Sequence, residues 1–276
     1  MGDTRARAGR DQPDPGGGQG RDHPRGGESV PAPGASGAPP AHTVAGSSTH
    51  RWRRVGASIG RGLVTAVVTC VPVAVLAGLV QAGFPPLHDV DEAVIRAATD
   101  ASRARPELVT ALIAWQEVFL PWHVYLAAAP AVVWTWRRGL QSRAVWGLAT
   151  GLAGWNLGLD VKLLVQRARP VVQEAVSSAP GYSFPSGHVF NLTMASATVL
   201  VMTWPLLVAR SRTLARSLAT LAGVAVVLTA ADRILLGVHY PSDTVAGVLL
   251  ALALTYSSWS GFRHAGQVRE QGERHA

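Results

Sequence analysis

Six long apolar segments constrain this chain more than any other feature of its sequence. A helix needs about 20 mostly apolar residues to cross the hydrocarbon core of a bilayer. The segments that approach this length are residues 62–84, 119–136, 144–165, 188–209, 214–236 and 244–259. The sequence therefore predicts an all-α fold, a bundle of six transmembrane helices in the cell membrane.

Arginine placement supports an even number of spans. Arg and Lys are enriched in the cytoplasmic loops of membrane proteins. With six spans, four arginine groups fall on one side of the membrane, and they lie at positions 51–61, 137–143, 210–216 and 263–274. Five spans would break this pattern. We therefore expect a multi-pass protein with both termini in the cytoplasm.

The two ends of the chain have the composition of tails. Residues 1–50 contain almost no large apolar side chains and are rich in Gly, Pro, Ser, Arg and Asp. Such a segment cannot bury enough surface to offset its ordering entropy, and it is too long and polar for a signal peptide. The predicted organisation is a disordered cytoplasmic tail over 1–55, a transmembrane domain over 56–260 and a cytoplasmic tail over 261–276.

Net charge and cysteine content exclude two other classes of protein. The formal charge of +8 would suit nucleic-acid binding, but the arginines sit in tails and short loops between apolar segments. Cys70 is the only cysteine and lies inside an apolar segment, which fits neither a disulfide framework nor a zinc site. No nucleic-acid partner is expected, and the oligomeric state is left open.

Two regions have less regular patterns. The apolar stretch 108–136 is too long for one span and is interrupted by polar residues, so residues 108–118 are predicted to form a lead-in helix. The outer segment 85–105 has mixed charge. Val90, Val94 and Ile95 fall close to one helical face there, which fits either an interfacial helix or a solvated loop.

Basic residues at the outer end of span three break the positive-inside pattern. Lys162 is the only lysine of the chain, and a compact ammonium suggests a point-charge contact. Arg169 follows two helical turns later, so both side chains are expected on one face of the helix. Pro170 is then expected to end that helix.

Spans four and six begin with residues suited to anion chemistry. Pro185 fits the first turn of span four, so the amides of Ser186, Gly187 and His188 are predicted to be unpaired at a positive helix end. His239 precedes span six. Asp243, in the first turn of span six, can reach back to that imidazole and fix its tautomer.

The energetic cost of these charges predicts that they converge. A charged group at membrane depth costs roughly 2.5–3.5 kcal/mol, so Lys162, Arg169 and Arg233 facing lipid would together cost on the order of 10 kcal/mol. They must meet in a polar cavity or around an anion. Cations, imidazoles, a carboxylate and a helix N-terminus are the groups that phosphoryl transfer requires.

At these residues the chain resembles the type 2 phosphatidic acid phosphatase (PAP2) superfamily, which includes bacterial undecaprenyl-diphosphate phosphatases, lipid phosphate phosphatases and soluble vanadium haloperoxidases. The resemblance covers about residues 60–258 and rests on three motifs, K-x6-R-P, P-S-G-H and S-R-x5-H-x3-D. They are matched by Lys162, Arg169 and Pro170, by the run 185–188, and by Arg233, His239 and Asp243.

The resemblance implies a membrane phosphatase acting on a lipid phosphate at the extracytoplasmic face. It implies that His239 is the nucleophile, that Asp243 orients it and that His188 is the general acid. The residues implied to bind phosphate are Lys162, Arg169, Ser186, Gly187 and Arg233. No metal and no cofactor is implied, and the partners are the phosphorylated lipid and the bilayer.

One position departs from the family motif, and two rival functions remain. Asp232 stands where the family usually has Ser, and a salt bridge from Arg167 or Arg233 would neutralise it. A phosphotransferase and a non-catalytic protein that binds anionic lipids both stay open, whereas the six predicted spans disfavour a soluble haloperoxidase. The sequence does not distinguish phosphatidic acid, phosphatidylglycerol phosphate and polyprenyl diphosphate as substrates.

Overall fold

The computed structural model describes residues 45–171 and 177–274, and within these ranges the chain forms helices and no strands. In chain order the helices are α1 Ala45–Gln81, α2 Pro85–Arg103, α3 Pro106–Val118, α4 Pro121–Arg137, α5 Gln141–Val165, α6 Gly187–Arg210, α7 Arg212–Leu235 and α8 Pro241–Arg274. The predicted all-α bundle is confirmed.

The helices identify a multi-pass membrane protein. Four of them, α1, α6, α7 and α8, are long and apolar enough to cross a membrane. A fifth span is obtained if α3 and α4, which are bent by 50° at their junction, count as one. The helix α5 has 25 residues, sufficient for a span, but it does not have the apolar composition of the others. By length and composition alone the count is therefore four or five.

Two predictions at the margins of the spans have different outcomes. The lead-in helix predicted over 108–118 is confirmed as α3. The tail predicted over 1–55 falls mainly outside the described residues, and α1 already begins at Ala45. At the other end, α8 continues to Arg274 through most of the predicted C-terminal tail.

The helix α6 is the centre of the bundle and packs against α4, α5, α7 and α8. Its contact with α5 is close because α5 presents glycines to it. A Cβ atom added at Gly154 would lie 2.7 Å from the side chain of Met194, and one at Gly158 would lie 2.8 Å from that of Phe190. Small residues at a helix interface let two backbones approach closely. This approach brings the end of α5 beside the start of α6.

A second close contact joins the beginnings of α6 and α8. A Cβ atom at Gly247 would lie 3.1 Å from the carbonyl oxygen of Ser186, a contact tighter than most, so the two backbones approach closely here. Below it, Val165, Phe184 and Ala246 form a buried apolar cluster. The ends of three segments that are distant in sequence are thus fixed against each other.

The outer segment forms the helix α2, so the helical alternative is the correct one. Val90 and Val94 are exposed, as lipid-facing side chains of an interfacial helix would be, so the interfacial placement stays a prediction. The buried positions repeat every three or four residues and are Asp91, Ile95, Thr99 and Ser102. The hydroxyl of Ser102 donates to the carbonyl of Leu235 over 2.7 Å, which ties α2 to the end of α7.

Candidate active site

The three motif regions meet at one end of the bundle. Lys162 lies near the end of α5, His188 in the first turn of α6, Arg233 at the end of α7 and Asp243 in the first turn of α8. His188 is within electrostatic range of Lys162, Arg169, Arg233 and His239. The structure therefore brings together the basic and imidazole side chains that the sequence predicted to converge.

His239 and Asp243 form the buried centre of this cluster. Both side chains are almost fully buried, and Nδ1 of His239 lies 3.5 Å from Oδ2 of Asp243. This contact is long for a hydrogen bond, as is common in catalytic sites without substrate. The carboxylate itself is fixed, because Oδ2 accepts from the amide of Tyr240 at 3.0 Å.

The opposite nitrogen of His239 faces a cation. Nη1 of Arg169 lies 3.2 Å from Nε2 of His239. A guanidinium can only donate, so this contact places the lone pair on Nε2 and the proton on Nδ1, the atom that faces Asp243. Burial lowers the pKa of His239 to about 4; Asp243 opposes this shift, and Arg169 and Lys162 add to it. The imidazole is therefore neutral at physiological pH.

The route by which Arg169 reaches the site differs from the prediction. The helix α5 ends at Val165, and Gln166 adopts a left-handed conformation with φ of 52°, its amide donating to the carbonyl of Lys162. Arg169 therefore does not share a helical face with Lys162, and Pro170 does not end the helix. Carbonyl oxygens of the following segment and of Val238 hold the guanidinium at 2.7–3.0 Å.

Lys162 lies against the start of α6. Its ammonium donates to the carbonyl of Tyr182 over 2.8 Å. A Cβ atom at Gly187 would be 3.7 Å from Cε of Lys162, so the lysine stem passes directly beside the first residue of α6. The ammonium of Lys162 and the positive N-terminal end of α6 would therefore both attract an anion placed beside them.

The start of α6 is only partly the anion site that the sequence predicted. The amide of Ser186 donates to the carbonyl of Asp243 over 3.0 Å, so the prediction that it is unpaired is wrong. The amides of Gly187 and His188 belong to the first turn, where no acceptor exists within the helix. Among the described residues, neither the hydroxyl of Ser186 nor Nε2 of His188 has a hydrogen-bond partner, although both are buried.

Arg233 is paired with the unusual aspartate. Nε of Arg233 donates to Oδ2 of Asp232 over 2.7 Å, and Nη2 donates to Oε1 of Gln116 on α3 at the same distance. Of the two arginines considered as partners of Asp232, Arg233 is therefore the one that pairs with it. In the sequence, Gln116 is only one of the polar residues that interrupt the apolar stretch 108–136. In the structure it is a second hydrogen-bond partner of the Arg233 guanidinium.

The other arginine, Arg167, organises a network that the sequence did not predict. Its Nη1 atom donates to Asp243 and to the hydroxyl of Ser242, and its Nη2 atom donates to Asp91, each over 2.7 Å. Its guanidinium also stacks 4.1 Å above the ring of Tyr240. Burial would lower the pKa of Arg167, but Asp243 and Asp91 hold it above its ordinary value.

Asp91 completes this network from α2. It accepts from the amide of Ser242 at 3.0 Å and from the hydroxyl of the same residue. Next to it, Glu92 accepts from the hydroxyl of Tyr240 over 2.7 Å. The sequence alone assigned no role to Asp91, because its burial against Ser242 and Arg167 depends on how α2 packs.

The arrangement can bind and attack a tetrahedral oxyanion. Lys162, Arg169 and the first turn of α6 surround a neutral imidazole whose proton is directed to a carboxylate. A second imidazole with a free nitrogen lies within electrostatic range. Within the described ranges, no group of three or more His, Cys, Asp or Glu side chains is placed to hold a metal ion.

Comparisons with known proteins identify the family and a similar fold. Residues 101–266, more than half of the 276 residues, match the profile of the PAP2 superfamily. Among solved structures, the fold is similar to that of a transmembrane PAP2-type phosphatidylglycerolphosphate phosphatase from Bacillus subtilis. The TM-score is 0.62 at 20% sequence identity, covering 71% of this chain and 94% of that chain. No curated protein matches the sequence.

Proposed function

This chain belongs to the PAP2 superfamily, and on that basis we propose that it is an integral membrane phosphatase that hydrolyses a phosphomonoester or diphosphate of a lipid through a phosphohistidine intermediate. The superfamily and the similar Bacillus subtilis fold support a lipid phosphatase at the family level. The residue roles and the side of the membrane are part of the proposal.

One observation carries the proposal, namely the orientation of the His239 ring. Nδ1 faces Asp243 at 3.5 Å and Nε2 faces the guanidinium of Arg169 at 3.2 Å. The tautomer with a lone pair on Nε2 is the nucleophilic one. When phosphate binds, one of its oxygens would take over the Nη1 donor of Arg169, which frees the lone pair of Nε2 to face phosphorus.

In the first step, Nε2 of His239 attacks phosphorus, and the bond between phosphorus and the lipid oxygen breaks. His188, in the imidazolium form that a bound phosphate dianion would stabilise, donates a proton to the leaving oxygen and becomes neutral. The lipid then departs as a neutral alcohol or as a monophosphate. Asp243 stabilises the charge that develops on the His239 ring. Lys162, Arg169 and the amides of the first turn of α6 stabilise the negative charge of the transferred group.

In the second step, water attacks the phosphohistidine. His188, now neutral, accepts a proton from that water, and the phosphorus–nitrogen bond breaks with its electron pair returning to Nε2. Inorganic phosphate leaves, and both histidines return to their starting protonation states. Arg233, held by Asp232 and Gln116, contributes positive charge at the edge of the phosphate site.

The site indicates the chemical class of the substrate, a lipid phosphate, but it does not indicate which lipid is preferred. The terminal phosphate group of phosphatidic acid, of phosphatidylglycerol phosphate or of a polyprenyl diphosphate would contact the same side chains. The Bacillus subtilis protein is a phosphatidylglycerolphosphate phosphatase, which makes that lipid one candidate here. In this proposal the site lies on the extracytoplasmic side, because the arginine groups fall on the opposite side when α5 and the bent pair α3–α4 each count as one span.

The test is phosphate release by the purified protein in detergent against a panel of these lipids without any acceptor. We expect free phosphate from at least one lipid and inhibition by vanadate, which mimics the five-coordinate transition state. Transfer of phosphate only to an added acceptor would indicate a phosphotransferase. Full activity in saturating vanadate, or no release from any lipid, would contradict the proposal.

A further inference from the structure

A polar pocket lies where the first half of α1 packs against the last part of α8. It has a volume of about 180 Å³. Arg61 lines it from α1, and the residues that line it from α8 include Tyr256, Trp259, Ser260 and Arg263. Among the described residues that line the pocket, none is Asp or Glu. The phosphatase mechanism proposed above uses none of these side chains.

The pocket lies at the opposite membrane surface from the catalytic cluster. Arg263 follows Asp243 by 20 residues on the helix α8. At about 1.5 Å per residue this separation is roughly 30 Å, which is about the thickness of the hydrocarbon core of a bilayer. A bilayer that has the catalytic cluster at one interface therefore has Arg263 at the other. In the orientation proposed above, this second interface is the cytoplasmic one.

Close packing of the two helices fixes the walls of the pocket. A Cβ atom added at Gly261 would lie 3.0 Å from the carbonyl oxygen of Ser58. Small residues at a helix interface let two backbones approach closely. Beside this contact, the hydroxyl of Thr65 donates to that of Ser260 over 3.4 Å. The pocket is therefore bounded by two helices that are held together at its base.

The described part of the chain does not neutralise the positive charge of the pocket. Among the described residues, no carboxylate lies within ion-pair distance of Arg61 or Arg263. Arg143 adds a third guanidinium, since it lies 4.7 Å from the centroid of the Trp259 ring and within electrostatic range of Arg263. A concave site lined by charges of one sign attracts ions of the opposite sign. The pocket therefore favours an anion.

The concave arrangement separates these arginines from those that only orient the chain in the membrane. Arginines on the cytoplasmic side orient a membrane protein without needing any cavity. Arg137 and Arg212 are of this kind, because they are exposed and do not line the pocket. Arg61 and Arg263, by contrast, come from two different helices and share one cavity with the hydroxyl of Ser260.

The surface between the pocket and the middle of the membrane is apolar. Val64 and Val68 follow Arg61 by three and seven residues, so they lie on the same helical face, and both are exposed. On α8, Leu252 lies one turn before Tyr256 and is also exposed. A ligand with a charged head in the pocket and hydrocarbon chains attached would therefore place those chains along an apolar surface. This surface favours a lipid over a soluble anion.

We propose that this pocket binds the phosphate group of an anionic phospholipid from the leaflet opposite the active site. Arg61 and Arg263 donate to the phosphate oxygens, and the hydroxyl of Ser260 donates to a further one. Because the two arginines belong to α1 and α8, the bound lipid joins these helices and stabilises their contact. The inference does not depend on the proposed phosphatase activity, since the ligand is a phosphodiester that is not consumed.

Thermal unfolding of the full chain in detergent, with added lipid, tests the site. The pocket variant carries Arg61→Gln and Arg263→Gln. Its matched control carries Arg137→Gln and Arg212→Gln, which remove the same charge at exposed positions outside the pocket. Phosphatidylglycerol is titrated against each protein, and zwitterionic phosphatidylcholine is the reference lipid. All the proteins keep the catalytic cluster, so any binding there contributes equally.

We expect phosphatidylglycerol to raise the unfolding temperature of the wild type and of the control variant in a saturable manner. In the pocket variant, the lipid concentration that gives half of the shift should be about thirtyfold higher, because two arginines near the headgroup are lost. Equal half-shift concentrations in the pocket and control variants would overturn the site. An equal shift with phosphatidylcholine would overturn its preference for an anion.

Two further measurements identify the ligand and its position. Inorganic phosphate at millimolar concentration should give no stabilisation that the pocket variant loses; such a loss would indicate a free anion and overturn the lipid assignment. Phosphatidylglycerol with a diazirine in its headgroup is photolysed with the wild type, and adducts are mapped by mass spectrometry. Adducts within residues 256–264 are expected. Adducts confined to other parts of the chain would overturn the proposal even in an active phosphatase.

Discussion

Arg167 donates to Asp91 over 2.7 Å and joins the helix α2 to the loop that follows α5. The same guanidinium donates to Asp243 at an equal distance. The carboxylate that faces the His239 ring is therefore held from a helix that contributes no motif residue. Asp91 is a positioning residue in this arrangement, because it acts on the imidazole only through Arg167, Ser242 and Asp243.

Asp91→Asn is expected to lower both stability and turnover. The change removes one partner of a buried ion pair, and the usual loss for such a change is about 3 kcal/mol or more. Arg167 would then pair with Asp243 alone and draw it from the imidazole, so we expect a loss of about tenfold in kcat. Thermal unfolding in detergent and steady-state kinetics measure the two effects.

The matched control for this prediction is Asp89→Asn, the same change on the same helix at an exposed position. It should leave unfolding temperature and kcat unchanged. If Asp91→Asn behaved like Asp89→Asn in both measurements, the positioning role of Asp91 would be wrong.

His239→Ala is expected to abolish turnover while the protein still inserts and folds. The ring has no partner that could replace it as a nucleophile, since the neighbouring His188 is directed to the leaving oxygen in the proposed mechanism. Brief reaction with a phosphate-labelled lipid followed by denaturation should trap an acid-labile adduct on the wild type and none on the variant. His264→Ala, at the other end of α8, is the control and should retain full activity. Substantial turnover by His239→Ala would rule out this nucleophile.

The sequence predicted those parts of the site whose geometry depends only on residues close together in the chain. The spacing of His239 and Asp243 is one helical turn, and Pro185 and Ser186 mark the start of α6, so short-range helix geometry was sufficient. Asp91 and Gln116 reach the site through contacts between segments 76 and 117 residues apart in the chain. No local periodicity encodes such pairs, because they depend on how the helices pack.

The backbone conformation at the ends of the helices also could not be predicted from the sequence. Pro170 was expected to end α5, but the left-handed conformation of Gln166 ends the helix at Val165, and Arg169 lies in the non-helical segment that follows. Gln is not a residue that favours this conformation, so no signal was present. In the same way, the amide of Ser186 was expected to be free because the neighbouring carbonyl of Asp243 could not be foreseen.

The pH dependence of the His239 ring gives a third prediction. Burial lowers its pKa to about 4, so the ring stays neutral and nucleophilic until the pH falls close to that value. Protonation below it places a proton on Nε2 and removes the lone pair. Histidine-selective ¹⁵N spectra, assigned with His239→Asn, should show a neutral ring at pH 5.5. A midpoint near 6.5, the ordinary value, would contradict the buried position of the ring.

Asp232→Ser, which restores the residue that the family usually has, is expected to destabilise this protein. Oδ2 of Asp232 accepts from Arg233, and both side chains are buried, so the variant leaves the guanidinium with Gln116 as its remaining support. We expect a loss of about 3 kcal/mol in the free energy of unfolding. KM should rise because Arg233 is less firmly positioned at the phosphate site.

A double-mutant cycle with Gln116→Ala tests whether the two supports act on the same cation. Their effects should be non-additive, since Asp232 and Gln116 share Arg233 as a partner. Additive effects would show that Asp232 and Gln116 are not coupled through Arg233. If Asp232→Ser alone left both activity and stability unchanged, the aspartate would have no supporting role, and its pairing with Arg233 would be without consequence for the site.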